Sequence, residues 1–136
     1  MNLHKKSFAK QNVKEQKLDR KAKWEDEIEH PVFCFRHLHK DYHIDKCETV
    51  DKVRFLERIV KLCNLTWQEI KLADKHGFGT EKIPKKNIKQ QLPKEVTEDV
   101  PLLALRYNGK KPFVGFKNRF VFHVLFIDRN LTLYKH

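Results

Sequence analysis

RFVFHVLFID, residues 119–128, decides how this chain folds. Between Arg119 and Asp128 the run is continuously apolar except for His123 at its middle. A run this short and this rich in Phe and Val reads as a strand buried on both faces. Strict alternation sets Arg119, Val121, His123, Leu125 and Ile127 on one side of it. Burying His123 there costs free energy unless the ring finds a partner.

Working outward from that strand, PLLALRY (101–107), a tight turn at Asn108-Gly109 and KPFVGF read as an antiparallel pair. Lys117-Asn118 turns the chain into RFVFHVLFID. Asp128-Arg129-Asn130 turns it again into LTLYKH, expected to be a last strand. The C-terminal third is thus a meander of three or four strands. Further upstream, PVFCFRHL alternates Val32, Cys34 and Arg36 with Phe33, Phe35 and His37, as a strand does. VDKVRFLERIVKLC is helical, with Val53, Leu56, Ile59, Val60 and Cys63 as its apolar stripe. In LTWQEI, Thr66 and Glu69 have capping-box spacing, and Leu65 with Ile70 has that of a hydrophobic staple. The second helix should stop at Lys75-His76-Gly77. Lys85 to Lys94 reads as an exposed basic loop or an irregular edge strand. The expectation is an α+β fold: a helical hairpin packed on a curved antiparallel sheet of about four strands. Residues 1–30 form a basic N-terminal helical arm, and residues 31–136 form the domain.

Composition narrows the function. The 136 residues carry a formal charge of +11 with 40% apolar residues. That combination describes a folded basic domain rather than a basic tail. Its partner should be anionic: nucleic acid, an acidic protein or an anionic membrane surface. Residues 1–23 hold eight Lys and Arg against two acidic residues, a net +6. Such a run grips phosphates or forms a solvated face, and both readings stand. No stretch approaches the roughly 20 apolar residues that span a bilayer, so no membrane is expected. Cys34, Cys47 and Cys63 are odd in number and unclustered, which suits a reducing, cytoplasmic setting.

The chemistry available is that of RNA cleavage. The RNA's own 2′-OH can attack the neighbouring phosphate if a base, an acid and cations are supplied. Arg106, His123, Tyr134 and His136 fall on strands expected to be neighbours and are the candidate catalytic residues. Lys85, Lys86, Lys89, Lys117 and Arg119 are the candidate RNA-binding residues. Each has a plainer reading. His123 is a hydrogen-bonded core residue, Arg106 pairs with a carboxylate such as Asp128, Tyr134 packs with a wet hydroxyl, and His136 frays. His37, His39 and His43 cluster with Asp41, Asp45 and Cys47, but their spacing is unlike structural zinc sites. No metal and no small-molecule cofactor are expected. Gly77-x-Gly79 is a helix stop rather than a dinucleotide loop.

An early strand (PVFCFRHL), a helical hairpin (VDKVRFLERIVKLC, TWQEIKLADKHG) and a basic sheet ending in LTLYKH make this chain resemble the RelE/HigB-like group of small bacterial toxins. The resemblance is one of layout and covers residues 31–136. It implies a RelE-like fold and a metal-independent endoribonuclease acting on RNA, often on the ribosome, and held by an antitoxin protein. It also implies a site with Arg or Lys on central strands and Tyr or His near the C-terminus. Arg106, Tyr134 and His136 match in kind. The N-terminal arm and the larger loop at 78–99 depart from the group. The alternatives are a non-catalytic RNA-binding or ribosome-associated module, and an interaction module for an acidic protein.

Overall fold

The computed structural model describes residues 25–136. Five strands form one mixed sheet: β1 (Val32–Cys34), β2 (Glu81–Ile83), β3 (Leu102–Asn108), β4 (Lys111–Asn118) and β5 (Val121–Ile127), in the order β1-β5-β4-β3-β2. The meander β3-β4-β5 is antiparallel, as its turn chemistry predicts, and β2 pairs antiparallel with β3. β1 pairs parallel with β5, Val32 opposite Val121. The sheet therefore has five strands and is mixed, where about four antiparallel strands were expected. The parallel pair joins segments nearly ninety residues apart, beyond the reach of local pattern.

Two helices cover one face: α1 (Thr49–Cys63) and α2 (Trp67–Leu72). Phe55, Ile59, Leu62, Trp67 and Ile70 pack there on Leu105, Tyr107, Phe113, Phe122 and Val124. The inward stripe of α1 is thus not the expected one. Phe55 is 5% exposed, whereas Leu56 is 64% exposed. The capping box at the start of α2 forms in full, with Glu69 N–H donating to Thr66 Oγ1 and Thr66 N–H donating to Glu69 Oε1. The helix ends at Leu72 rather than at Gly77, and a turn fills residues 75–78.

Among the described residues no α-helix lies on the other face, where Tyr42 of a 3-10 turn packs. A loop with one 3-10 turn at Lys85–Asn87, together with the C-terminal segment, covers it, burying Ile83, Ile88 and Leu133 on Leu102, Ala104, Val114, Phe116, Leu125 and Phe126. LTLYKH is not a strand. The carboxylate of Asp128 turns it over the sheet by accepting the N–H groups of Thr132 (2.9 Å) and Leu133 (3.1 Å).

Alternation breaks inside β5. Gly115 pairs with Val124 and Val114 with Phe126, so Leu125 is an extra, bulged residue. Phe122, Val124 and Ile127 face the helices, while Leu125 and Phe126 face the loop. Ile127 therefore lies on the side opposite His123, against strict alternation. The freed Leu125 carbonyl accepts the N–H of His39 at 2.7 Å.

Residues 25–28 are helical, and the segment that follows is tied to the domain. Trp67 N–H donates to the Glu29 carbonyl, and His30 Nδ1 lies 2.9 Å from the Leu65 carbonyl oxygen. The charge run of the arm, residues 1–23, lies outside the described residues.

Candidate functional site

Register sorts the four candidate catalytic residues into two places. Arg106 lies opposite Pro112, at the end of the sheet where Asp128 N–H donates to the Pro112 carbonyl. His123 lies opposite Phe116, toward the other end. Four residues along β4 separate the two levels, about 13 Å at ~3.3 Å per residue. Arg106 shares its neighbourhood with Tyr134, whose ionisation its charge favours. His123 sits apart from that group.

The end containing Arg106 is the more chemical of the two. Asp128 is wholly buried, and its Oδ2 lies 3.4 Å from His136 Nε2. The ring of His136 lies 4.1 Å, centroid to centroid, from that of Tyr134. Burial above all, reinforced by Glu81 and Asp128, pushes the Tyr134 phenol up to about 12, while Arg106 pulls the other way. The phenol therefore stays protonated near neutral pH and donates rather than accepts a proton. With Nε2 donating to Asp128, His136 leaves Nδ1 as its free nitrogen.

Tyr134 and Lys135 form one wall of a cleft, with Lys86, Asn87 and Lys89 opposite. Lys86, Lys89, Lys135 and Arg106 have no carboxylate partner among the described residues. Three of them, Lys86, Lys89 and Lys135, line the cleft and are exposed, so they set a positive potential over it that suits an anion.

The other expected RNA-binding residues are engaged elsewhere. The Lys85 ammonium donates to the Thr97 carbonyl, pinning the loop to itself. Lys117 lies over the Trp67 ring, 4.9 Å from its centroid, and burial pushes its pKa down. Arg119 donates to Asp26 at 3.2 Å. Lys117 and Arg119 belong to the helical side, in a pocket shared with Asp26, Glu27 and Lys71, where acids offset the positive charge.

His123 lines a separate pocket with His37, Glu95, Val100 and Phe116. Its ring stacks on Phe116 at 4.7 Å, and its Nδ1 is buried without a hydrogen-bond partner. Burial first, and His37 second, lower its pKa. The remaining histidines of the early cluster have local work. His39 Nδ1 accepts from Asp41 N–H and His43 Nδ1 from Asp45 N–H, each capping a 3-10 turn. The paired His-x-Asp spacing of HKDYHID was legible as that capping signal, which the metal reading passed over.

Sequence reasoning did not single out Asp128, which holds His136, or Lys135, which lines the cleft. Asp128 closes an apolar strand, where a carboxylate must be satisfied once buried. That was its available signal. No family model, curated protein or solved structure matches the chain. Among the described residues, no helix is long and apolar enough to cross a membrane.

Proposed function

We propose that this protein is an endoribonuclease that cleaves RNA through the 2′-OH at the cleft lined by Lys86, Lys89, Tyr134 and Lys135, with His136 beside Tyr134. The observation that carries the reading is buried Asp128 holding His136 beside Tyr134, at a cleft whose lysines, Lys86, Lys89 and Lys135, lack carboxylate partners among the described residues. In this scheme His136 Nδ1 takes the proton of the attacking 2′-OH, and Asp128 favours the imidazolium that forms. The Tyr134 phenol donates to the phosphate or to the leaving 5′ oxygen. Arg106 and the lysines offset the charge that grows on the phosphate, a contribution worth on the order of 100-fold or more in rate for one well-placed group. The reading assigns His123 no part in the chemistry. Likeness in layout to the RelE/HigB-like toxins supports RNA as substrate, with the ribosome as its setting and an antitoxin as partner.

The test is cleavage of end-labelled RNA by the purified chain in EDTA, with and without ribosomes. The expected product carries a 2′,3′-cyclic or 3′-phosphate. Arg106→Ala, Tyr134→Phe and His136→Gln should each reduce the rate without lowering the melting temperature by more than a few degrees. Asp128 also holds two backbone N–H groups, a role that needs no chemistry, and this favours a second reading as a non-catalytic RNA-binding module. RNA binding without cleavage, and expression that leaves growth unaffected, would replace the first reading by the second.

A further inference from the structure

Helix α1 is apolar on two sides. Phe55, Ile59 and Leu62 are buried against the sheet. Val50, Val53, Leu56 and Val60 stand outward at 54%, 49%, 64% and 56% exposure, and Cys63 is exposed near the helix end. A surface helix normally turns charge toward solvent, and one that is apolar all round is covered on both sides. These four side chains are the densest run of exposed large hydrophobics among the described residues, the kind of patch that marks an interaction site.

The spacing says what shape of partner fits. Val53, Leu56, Val60 and Cys63 recur at intervals of three, four and three, the a-d-a-d positions of two heptads. At 100° per residue this seam is centred roughly 110° around the helix from the buried stripe, so a helix lying on it is turned away from the sheet. β-Branched residues at a (Val53, Val60) with Leu56 at d are the combination that favours two parallel strands. The flanking charges agree. In a parallel pair, the g position of one heptad meets the e position of the next on the partner. Here those positions hold Lys52 and Glu57, both exposed and opposite in sign. A two-fold axis makes that contact twice, so one sequence supplies both halves of a complementary seam. An antiparallel pair forfeits the match.

We infer that a second copy of this chain docks on α1, helix beside helix and parallel, with Val53, Leu56 and Val60 in the seam and Cys63 facing its symmetry mate. The seam is two heptads long and far smaller than the roughly 800 Å² per partner of a standard stable interface, so the dimer is weak and exchanges with monomer. The inference is independent of the RNA reading, since the cleft lies on the other side of the sheet.

Sedimentation of the full chain from about 10 μM to 1 mM, the range of dissociation constants such a seam supports, tests it. The mass should rise with concentration from 16.4 kDa toward twice that value. A short bismaleimide should trap the dimer, with peptide mapping locating the link at Cys63 on both copies. Leu56→Lys should raise the dissociation constant tenfold or more while leaving the melting temperature unchanged, because Leu56 is exposed in the monomer. Lys52→Glu should weaken the dimer, and Lys52→Glu with Glu57→Lys should restore it. A monomer across the whole range, or a dimer indifferent to Leu56→Lys, overturns the inference. A dimer that never links through Cys63 overturns the parallel seam.

Discussion

Two buried polar atoms lack partners among the described residues, the Tyr107 hydroxyl and His123 Nδ1, and both make the domain sensitive to pH. The Tyr107 phenol is pushed up, by burial first and then by Asp51. A raised phenol pKa contributes stability that is complete below the ordinary tyrosine value, about 10, and is lost as pH climbs from there toward the folded value. Tyr107→Phe should therefore flatten the alkaline limb of a urea-melt series. It should also raise stability at neutral pH by about 1 kcal/mol, since the hydroxyl it removes makes no hydrogen bond. His123 has the opposite sign. Its lowered pKa gives stability that is complete above about 6.5 and is lost as pH falls through the folded value. His123→Phe should flatten the acid limb below that point and leave RNA cleavage intact. An acid limb unchanged in the variant would remove His123 as its cause. His123 was visible in the sequence as an anomaly in an apolar run. Its separation from Arg106 was not, because register depends on which residues pair across strands and on the bulge at Leu125.

Elements show where periodicity suffices and where it fails. The Thr66-x-x-Glu69 box and the turns of the meander were legible because each is closed by residues close in sequence. The inward side of α1 was not, because two apolar stripes compete on one helix and only the sheet chooses between them. Phe55 stacks edge-on against Phe113 at 5.2 Å and Tyr107 at 5.6 Å, so Phe55→Ala should cost about 3–5 kcal/mol by denaturant melt. Leu56→Ala should cost less than about 0.5 kcal/mol, the range of ordinary surface changes. Equal losses would mean that the inward stripe is misassigned. Asp51, in the first turn of the same helix, accepts from Asn108 at 3.0 Å and Lys111 at 2.9 Å, clamping α1 to the β3–β4 hairpin. In β4, a side chain at Gly115 would land on the His123 carbonyl and 2.8 Å from a Phe122 ring carbon. Gly115→Ala should accordingly destabilise by roughly 1–3 kcal/mol or more, as overpacking does.

For the whole molecule, the proposed RNA reading makes binding depend on salt. On the proposed reading, the cleft's Lys86, Lys89 and Lys135 would give single-stranded RNA binding a slope of log K against log salt of about −2 at ~0.7 per phosphate. Residues 1–23 carry a further net +6. Replacing the eight basic residues of that run by Gln should flatten the slope of single-stranded RNA binding measurably, while cleavage at saturating RNA persists. An unchanged slope would mean that the run contacts no phosphate. The basic, α+β character was legible from composition and pattern. The split of its cations was not: Lys117 and Arg119 look like Lys86 and Lys89 in sequence, yet acids on a distant segment offset them.

The parallel pairing of β1 with β5 has a consequence for synthesis. A chain leaves the ribosome N-terminus first, so Val32–Cys34 waits without a sheet partner until Val121–Ile127 has been made. Every earlier nascent length lacks an edge of the sheet, and Asp128 and His136 come later still. The mixed edge of the sheet therefore forms late, after the antiparallel meander that supplies its partner strand has been made.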